Sequence, residues 1–369
     1  PVRLEGCPWT EMLMGWPYRT FVRPIQRLQS SEGAHGRALR MLRIASATAP
    51  GRAMLRLLYH PKKGEAVQVW GLEFPNRFGL AAGMDKRAEA LRGWSSIGFG
   101  FIEIGGVTMH AQAGNPKPRM FRDDRSRSLI NRMGFNNDGS EAVAERIRHH
   151  IRRKGPLPCP VLANLGKSKI TPNEDALVDY ATSMERLHDV VDGFVVNVSS
   201  PNTPNLRDLQ HEETLKGLLE GLATRLNEMN TGHPTPRPML VKFAPDLAED
   251  ALLRMVDVAR AAGADGVVLT NTTVERDAPT HPAHAEFLAE AGGLSGAPLK
   301  DRSTAMIRAV HEHTNGTWPI IGVGGISTAA DAREKLEAGA TLLQAYSAFV
   351  FEGPSLVRNV VDGLEKSSL

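Results

Sequence analysis

The chain has 369 residues, 41% hydrophobic and 23% charged, which suffices for one large core and excludes a disordered or fibrous class. Its two cysteines, Cys7 and Cys159, stand far apart without metal-type spacing, which excludes a disulfide framework and a zinc site and suits a reducing compartment. The net charge of +3 is unevenly divided: residues 1–63 hold 11 Lys/Arg and 3 Asp/Glu, a balance of +8, and the remainder carries −5.

In the basic N-terminal segment the arginines alternate with Met, Leu, Ile and Trp. That pattern fits an amphipathic helix on an anionic membrane better than a nucleic-acid surface. No uninterrupted apolar run of about 18 residues occurs, so no membrane span is expected. Trp9, Trp16 and Tyr18 mark an interfacial stretch, and the start at Pro1 rather than Met leaves room for a trimmed targeting segment. Residues 24–44 turn helical, with Ser31 as the expected N-cap and Ala34, Ala38, Met41 and Leu42 on one side. A second short helix follows Pro50 and carries Met54, Leu55, Leu57 and Leu58. Its periodicity fits equally a core helix packed on the larger domain. Residues 60–70, with Pro61, Lys62, Lys63 and Gly64, are expected to be a linker, which divides the chain into a helical segment over 1–63 and a larger domain over 64–369.

Beyond the linker, short apolar runs alternate with helical stretches. Strands are expected near 78–82, 101–105, 160–165, 193–198, 238–243, 266–270, 319–323 and 341–346. Helices are expected near 86–97, 139–153, 173–189, 212–229, 248–262, 301–314, 328–338 and 353–366. Eight strand–helix units predict the α/β class, a (β/α)8 TIM barrel with a small N-terminal α-helical extension. A doubly wound sheet would show a G-x-G-x-x-G turn after its first strand, and none occurs there. Residues 107–138, rich in Pro, Arg and Asn, are expected to fold over the barrel mouth.

The carboxyl ends of barrel strands are where ligands are held, and the polar residues of this chain gather there. After the first strand comes A-A-G-M-D-K (81–86), whose small residues admit a flat ring and whose Lys86 brings a charge. Gly105-Gly106-Val107-Thr108 follows the second strand, then G-N-P-K-P-R (114–119) and N-R-M-G-F (131–135). The third strand ends at Asn164, the fifth in Lys242, the sixth in Thr270-Asn271-Thr272, and G-G-L-S-G (292–296) reads as a flexible loop. The fourth strand runs straight into N-V-S-S-P-N-T (197–203), where Pro201 stops the ladder and polar groups cluster. The seventh ends in Gly322-Val323-Gly324-Gly325-Ile326 before a helix, and the eighth in Tyr346-Ser347. Loops after these last two strands offer free amides and a helix dipole to a phosphate, which suggests FMN.

N-V-S-S-P-N-T closely resembles the catalytic loop of the class 2 dihydroorotate dehydrogenases, and the similarity runs from about Pro24 to the C-terminus. The resemblance implies FMN contacts at Ala82, Gly83, Lys86, Gly106, Asn164, Asn197, Lys242, Thr270, Gly296, Gly325, Tyr346 and Ser347. It implies that Lys86, Asn131, Arg132, Met133, Gly134, Phe135, Asn197, Asn202, Asn271 and Thr272 hold the pyrimidine and its carboxylate. Ser200 would be the base, with Thr203 as proton relay and an ordered water as the other candidate outlet, since no His or carboxylate lies in the motif. Gln26, His35, Arg122 and Tyr346 would surround the quinone path. One departure is visible: the family usually has Thr or Ser where Gly106 stands, which removes a hydroxyl contact to the flavin.

A serine base and an N-terminal extension point to class 2 rather than to the class 1 enzymes with a cysteine base and a soluble acceptor such as fumarate or NAD. The expected reaction removes a proton from C5 and a hydride from C6 of dihydroorotate, with base and flavin N5 on opposite faces of the ring. Lys242 would stabilise charge developing on the flavin. The partners implied are dihydroorotate and orotate, a membrane quinone and a lipid surface, with no nucleic acid and no metal. The location implied is the periphery of a bacterial inner membrane, cytoplasmic side, or of the mitochondrial inner membrane. An FMN barrel acting on RNA would place its basic charge at the barrel mouth instead of the N-terminal segment. A non-catalytic barrel holding a phosphorylated ligand would show no substrate-dependent flavin reduction.

Overall fold

The computed structural model describes residues 29–276 and 282–365, together with positions 18, 20, 23 and 24. Two helices lead, α1 (Ser31–Ala45) and α2 (Ala49–Tyr59). The cap of α1 is Ser30, one residue before the expected Ser31, because the Ser30 hydroxyl reaches the Gly33 N–H at 3.2 Å. Leu42 of α1 packs inward, while Met41 is 70% exposed and so leaves the apolar side expected for it.

A hairpin then forms from β1 (Val67–Val69) and β2 (Leu72–Phe74). The linker is therefore shorter than expected. Val69, Leu72 and Phe74 pack with Phe101, just before β4, and with the strand residues Val195, Leu240, Val268 and Ile321, which point into the barrel, so the hairpin plugs its amino-terminal end.

The barrel follows, opening with β3 (Phe78–Leu80), α3 (Leu91–Ile97) and β4 (Ile102–Val107). The helix expected from residue 86 begins at Leu91, because the buried Asp85 carboxylate accepts the Glu89 and Ala90 N–H groups at 2.8 Å and holds the chain in a turn. Residues 107–138 hold the lid strands β5 (Met120–Asp123) and β6 (Ser128–Asn131). Next come α4 (Ser140–Lys154), β7 (Val161–Leu165), α5 (Ala176–Leu187), β8 (Gly193–Asn197), α6 (Glu212–Asn230), β9 (Met239–Phe243), α7 (Glu249–Ala261) and β10 (Gly266–Leu269). After them are α8 (Pro282–Leu288), β11 (Gly293–Gly296), α9 (Lys300–His313), β12 (Ile320–Val323), α10 (Ala329–Glu337), β13 (Leu342–Ala345), α11 (Ser347–Glu352) and α12 (Ser355–Glu365).

β3, β4, β7, β8, β9, β10, β12 and β13 close into one parallel barrel. All eight expected strands are present, and their burial on both faces follows from having side chains inside the barrel and helices outside. One further expectation changes. The G-G-L-S-G stretch is not a flexible loop: β11 pairs antiparallel with β6 and completes a three-stranded lid. Gly296 has φ +107° and a Cβ there would fall 2.3 Å from the Arg127 carbonyl, so glycine permits this pairing. The expected final helix is present as α12, and an unexpected short helix, α11, precedes it across Gly353-Pro354.

Candidate active site

Strand register sets the site. β8 lies beside β9 with Asn197 level with Lys242, and β4 lies beside β7 with Gly105 level with Asn164. The polar residues therefore arrive at one height, the carboxyl end of the barrel. There the amides form a chain: Asn271 Nδ2 donates to Asn197 Oδ1 at 3.1 Å, Asn197 Nδ2 to Asn164 Oδ1 at 3.0 Å, and Asn164 Nδ2 to Glu103 Oε1 at 2.7 Å. Gln344 donates to the other Glu103 oxygen. Each amide orientation is fixed by the next, which holds the set rigid.

Several polar groups facing this cavity lack partners. Lys242 is 6% exposed, yet its ammonium meets no hydrogen-bond acceptor or carboxylate among the described residues. Gln344 Oε1 is buried and unpaired among the described residues. The amides of Gly324, Gly325 and Ile326 likewise have no acceptor among the described residues, whereas the next one, of Ser327, is taken by Asp331 at 3.0 Å. Buried polar groups are nearly always paired, so a run of unpaired ones along one wall fits a ligand with an anionic end and a ring bearing acceptors and donors. A Cβ at Gly325 would lie 2.4 Å from the Lys300 Cβ, so the loop has no room for a side chain.

Across the cavity, Ser200 is 7% exposed and its Oγ accepts the Asn202 N–H at 3.3 Å. Asn202 Nδ2 donates to Asn131 Oδ1 at 3.2 Å, tying the catalytic-type loop to the lid. Lys86, half-buried, donates to the Gly83 carbonyl at 2.9 Å. Burial, then the Arg119 cation, pushes its ammonium down to about 8. Phe135 explains the glycine at 106, since a Cβ there would come 2.4 Å from its ring.

Ala82, Gly83, Lys86, Gly106, Asn131, Met133, Gly134, Phe135, Asn164, Asn197, Ser200, Asn202, Lys242, Thr270, Asn271, Thr272, Gly296, Gly325, Tyr346 and Ser347 all line this one cavity. Two expected residues do not. Arg132 turns outward to Glu290 at 2.6 Å and lies over the Phe121 ring at 4.5 Å. Thr203 is buried in the loop behind Ser200, outside the cavity lining. Reading the sequence missed Arg127, Ser295, Ser327, Gln344 and the Glu103 beneath them. Single polar residues inside the apolar runs I-E-I and L-L-Q-A were the available signal for the last two.

A second, mostly apolar cavity lies under α1, lined by Leu42, Met84, Leu129 and Phe349 with His35, Arg122 and Tyr346 as its polar tips. Tyr346 borders both cavities. Burial, then the Lys86 cation, holds His35 down to about 4, so its ring is neutral near pH 7, and burial pushes the Tyr346 phenol up. Gln26 lies outside the described residues. Among the described residues, no cluster of three or more His, Cys, Asp or Glu could hold a metal, and no helix is long and apolar enough to cross a membrane.

Residues 65–367 match the family described as dihydroorotate dehydrogenase. The chain is 48% identical over 344 residues to a protein named dihydroorotate dehydrogenase (quinone) from Synechococcus sp. (strain JA-2-3B'a(2-13)), covering 90% of this chain and 87% of the relative. Identity is 52% over 301 residues to the protein of that name from Thermosynechococcus vestitus, covering 80% of each chain. The crystal structure of DHODH in complex with ferulenol from Eimeria tenella superposes with a TM-score of 0.78 at 33% identity, covering 87% of this chain and 91% of that one.

Proposed function

The chain belongs to the dihydroorotate dehydrogenase family, and from its quinone-dependent relatives we infer that it oxidises dihydroorotate to orotate with a quinone as electron acceptor, a step of pyrimidine biosynthesis. It is an oxidoreductase built on a TIM barrel. The cofactor we assign is FMN. The observation that carries this assignment is the line of unpaired groups running from Lys242 and Gln344 Oε1 to the Gly324–Ile326 amides. The amides suit the phosphate and the lysine suits the electron-rich side of the ring, with Ala82, Gly83, Asn164, Asn197, Thr270, Gly296, Tyr346 and Ser347 around it. When bound, FMN supplies the acceptor for the hydride leaving C6.

Ser200 takes the C5 proton in this reading. A serine is a weak base near neutral pH, so it must release its own proton as it accepts the new one, and Thr203 of the same buried loop is the proposed relay. Asn131, Asn197, Asn202 and Asn271 offer both donors and acceptors to an imide-like ring, and Lys86 offers a cation to its carboxylate. The quinone takes two electrons and two protons in the apolar cavity bordered by His35, Arg122 and Tyr346, which makes Tyr346 the wall between the two half-reactions. Residues 1–63 act as the membrane and quinone-access segment and 64–369 as the catalytic domain. Met41, Ile44, Met54, Leu57 and Leu58, all exposed on α1 and α2, favour a peripheral seat on a bilayer through that segment.

The test is the absorption spectrum of the purified protein before and after anaerobic dihydroorotate. A flavin band that bleaches on addition, and returns with quinone, is expected. A colourless protein that still turns over would remove the flavin, and a band that persists would remove the donor.

A further inference from the structure

Between the end of α1, the α1–α2 turn, the start of α3 and α4 lies a cavity of about 320 Å³, lined by Arg43, Arg92, Arg146, His149, His150 and Lys154. Its size is within the range of small-molecule sites. Arg146 is held by Asp138 at 2.8 Å, but the cations deeper in the basin rest on carbonyls. Lys154 Nζ donates to the Ala47 carbonyl at 3.0 Å, Arg92 to that of Gly155, and Arg52, from α2, to that of Ser46 at 3.1 Å. Arg92 Nε and His150 Nε2 are buried without a partner among the described residues. Among those residues, Glu89 is the carboxylate lining the cavity, and it faces Arg43 at 3.7 Å.

Like charges held this close in a partly desolvated basin repel, and the titration of each reflects the others. Burial, followed by Arg52 and Arg56, lowers Arg92; burial, followed by Arg92 and Lys154, holds His150 down to about 4; burial, followed by Arg52 and Arg92, lowers Lys154. An anion shared among them would relieve all three. α1 lines the basin through Arg43 and α2 reaches its rim through Arg52, and these two helices carry Met41, Ile44, Met54, Leu57 and Leu58, which are 49–73% exposed. An anion with apolar chains attached matches that pair of surfaces.

We propose that this basin binds the phosphate of an anionic glycerophospholipid headgroup, seating α1 and α2 on the bilayer while the acyl chains lie along the apolar ridge. The proposal rests on the membrane reading above and adds one specific seat to it. The test uses the full chain in flotation with phosphatidylcholine vesicles and with mixed phosphatidylcholine–phosphatidylglycerol vesicles at matched ionic strength. Wild type is expected to float with the mixed vesicles far more than with the zwitterionic ones. Arg92→Gln/Lys154→Gln should weaken that binding by about tenfold or more, since each cation near an anionic surface is worth on the order of 1 kcal/mol. Arg260→Gln/Arg308→Gln removes the same charge from α7 and α9 on the far side of the barrel and should change it by less than about twofold. Should the first pair not fold, Arg52→Gln/Lys154→Gln leaves Arg92 in place. Unchanged dihydroorotate oxidation with a soluble dye certifies either pair.

Equal flotation of wild type and the basin variants overturns the seat while the membrane reading stands. Failure of wild type itself to float with mixed vesicles overturns that reading, and the seat with it. Inorganic phosphate is the third arm: stabilisation of wild type by phosphate that the basin variants lose would assign the basin to free phosphate and overturn the lipid source.

Discussion

Lys86 is placed to give the reaction a pH limit. Its ammonium, pushed down to about 8 by burial and by Arg119, faces the cavity in which we place the substrate carboxylate. The attraction is present below that value and is lost as pH rises through it, so kcat/KM for dihydroorotate should fall above about pH 8. Lys86→Arg keeps the charge to far higher pH and should move this descending limb beyond pH 10; a limb that stays at 8 would assign it to another group. Ser200 carries the second expectation at this scale. Ser200→Ala should keep the flavin and orotate affinity yet lose nearly all flavin reduction by dihydroorotate, and Ser200→Cys should recover part of the rate at high pH, where a thiolate forms. Stopped-flow bleaching of the flavin band measures both, and an undiminished Ser200→Ala rate would sink the assignment. Side chains that end a strand were legible in the sequence, because a polar cluster after a buried run has few other uses. Glu103 and Gln344 were not, since their role depends on cross-barrel neighbours 61 and 241 residues away from Asn164 and from each other.

At the scale of elements, the eight strands were legible because each is a short apolar run covered on both faces, a pattern that survives without knowing its partners. The hairpin of β1 and β2 was not, since three-residue strands next to Pro and Lys carry too little periodicity, and only the open barrel end explains their apolar face. Phe74 is fully buried there, against the Phe101 ring at 5.5 Å. Phe74→Ala should therefore cost about 3–5 kcal/mol, seen as a lowered chemical-denaturation midpoint, with little change in the dihydroorotate KM. The lid was legible as a cover but not as a sheet, because β11 pairs with β6 across 162 to 168 residues of chain. Its tie to α1 is equally non-local. Arg119, buried, is bidentate to Glu32 (2.8 and 3.2 Å) and also donates to the Asn115 carbonyl at 2.8 Å, while Asn115 Nδ2 holds the Asn202 carbonyl at 3.0 Å. This clasp joins α1, which covers the proposed quinone cavity, to the loop that carries Ser200 and Asn202. Glu32→Ala strands the guanidinium and should cost about 1–3 kcal/mol. Steady-state kinetics should show both the quinone KM and the dihydroorotate KM rising, and a change confined to one of them would show that the clasp does not couple the two sides.

For the whole molecule, charge and apolar surface are divided along the same line. The first 63 residues carry +8 and the rest −5, and the large exposed hydrophobic side chains of α1 and α2 stand on that basic portion. A barrel with a negative balance is repelled by an anionic bilayer, so the leading helices decide which face approaches it. In the proposed seat the apolar cavity under α1 opens beside the membrane, while the polar cavity lies on the other side of Tyr346. Met41 and Leu57 are 70% and 73% exposed, so replacing both by Glu removes ridge contacts without opening the core. Met41→Glu/Leu57→Glu should leave dihydroorotate oxidation with a soluble dye within about twofold of wild type, because surface changes of this kind cost little stability. The same variant should lose most of its rate with a long-chain quinone embedded in vesicles, and keep its rate with a short-chain quinone that reaches the cavity through water. Two acceptors of different chain length on one variant thus separate delivery from chemistry. A variant equally active with both would mean that the ridge does not present the cavity to the bilayer, and the exposed side chains of α1 and α2 would need another partner.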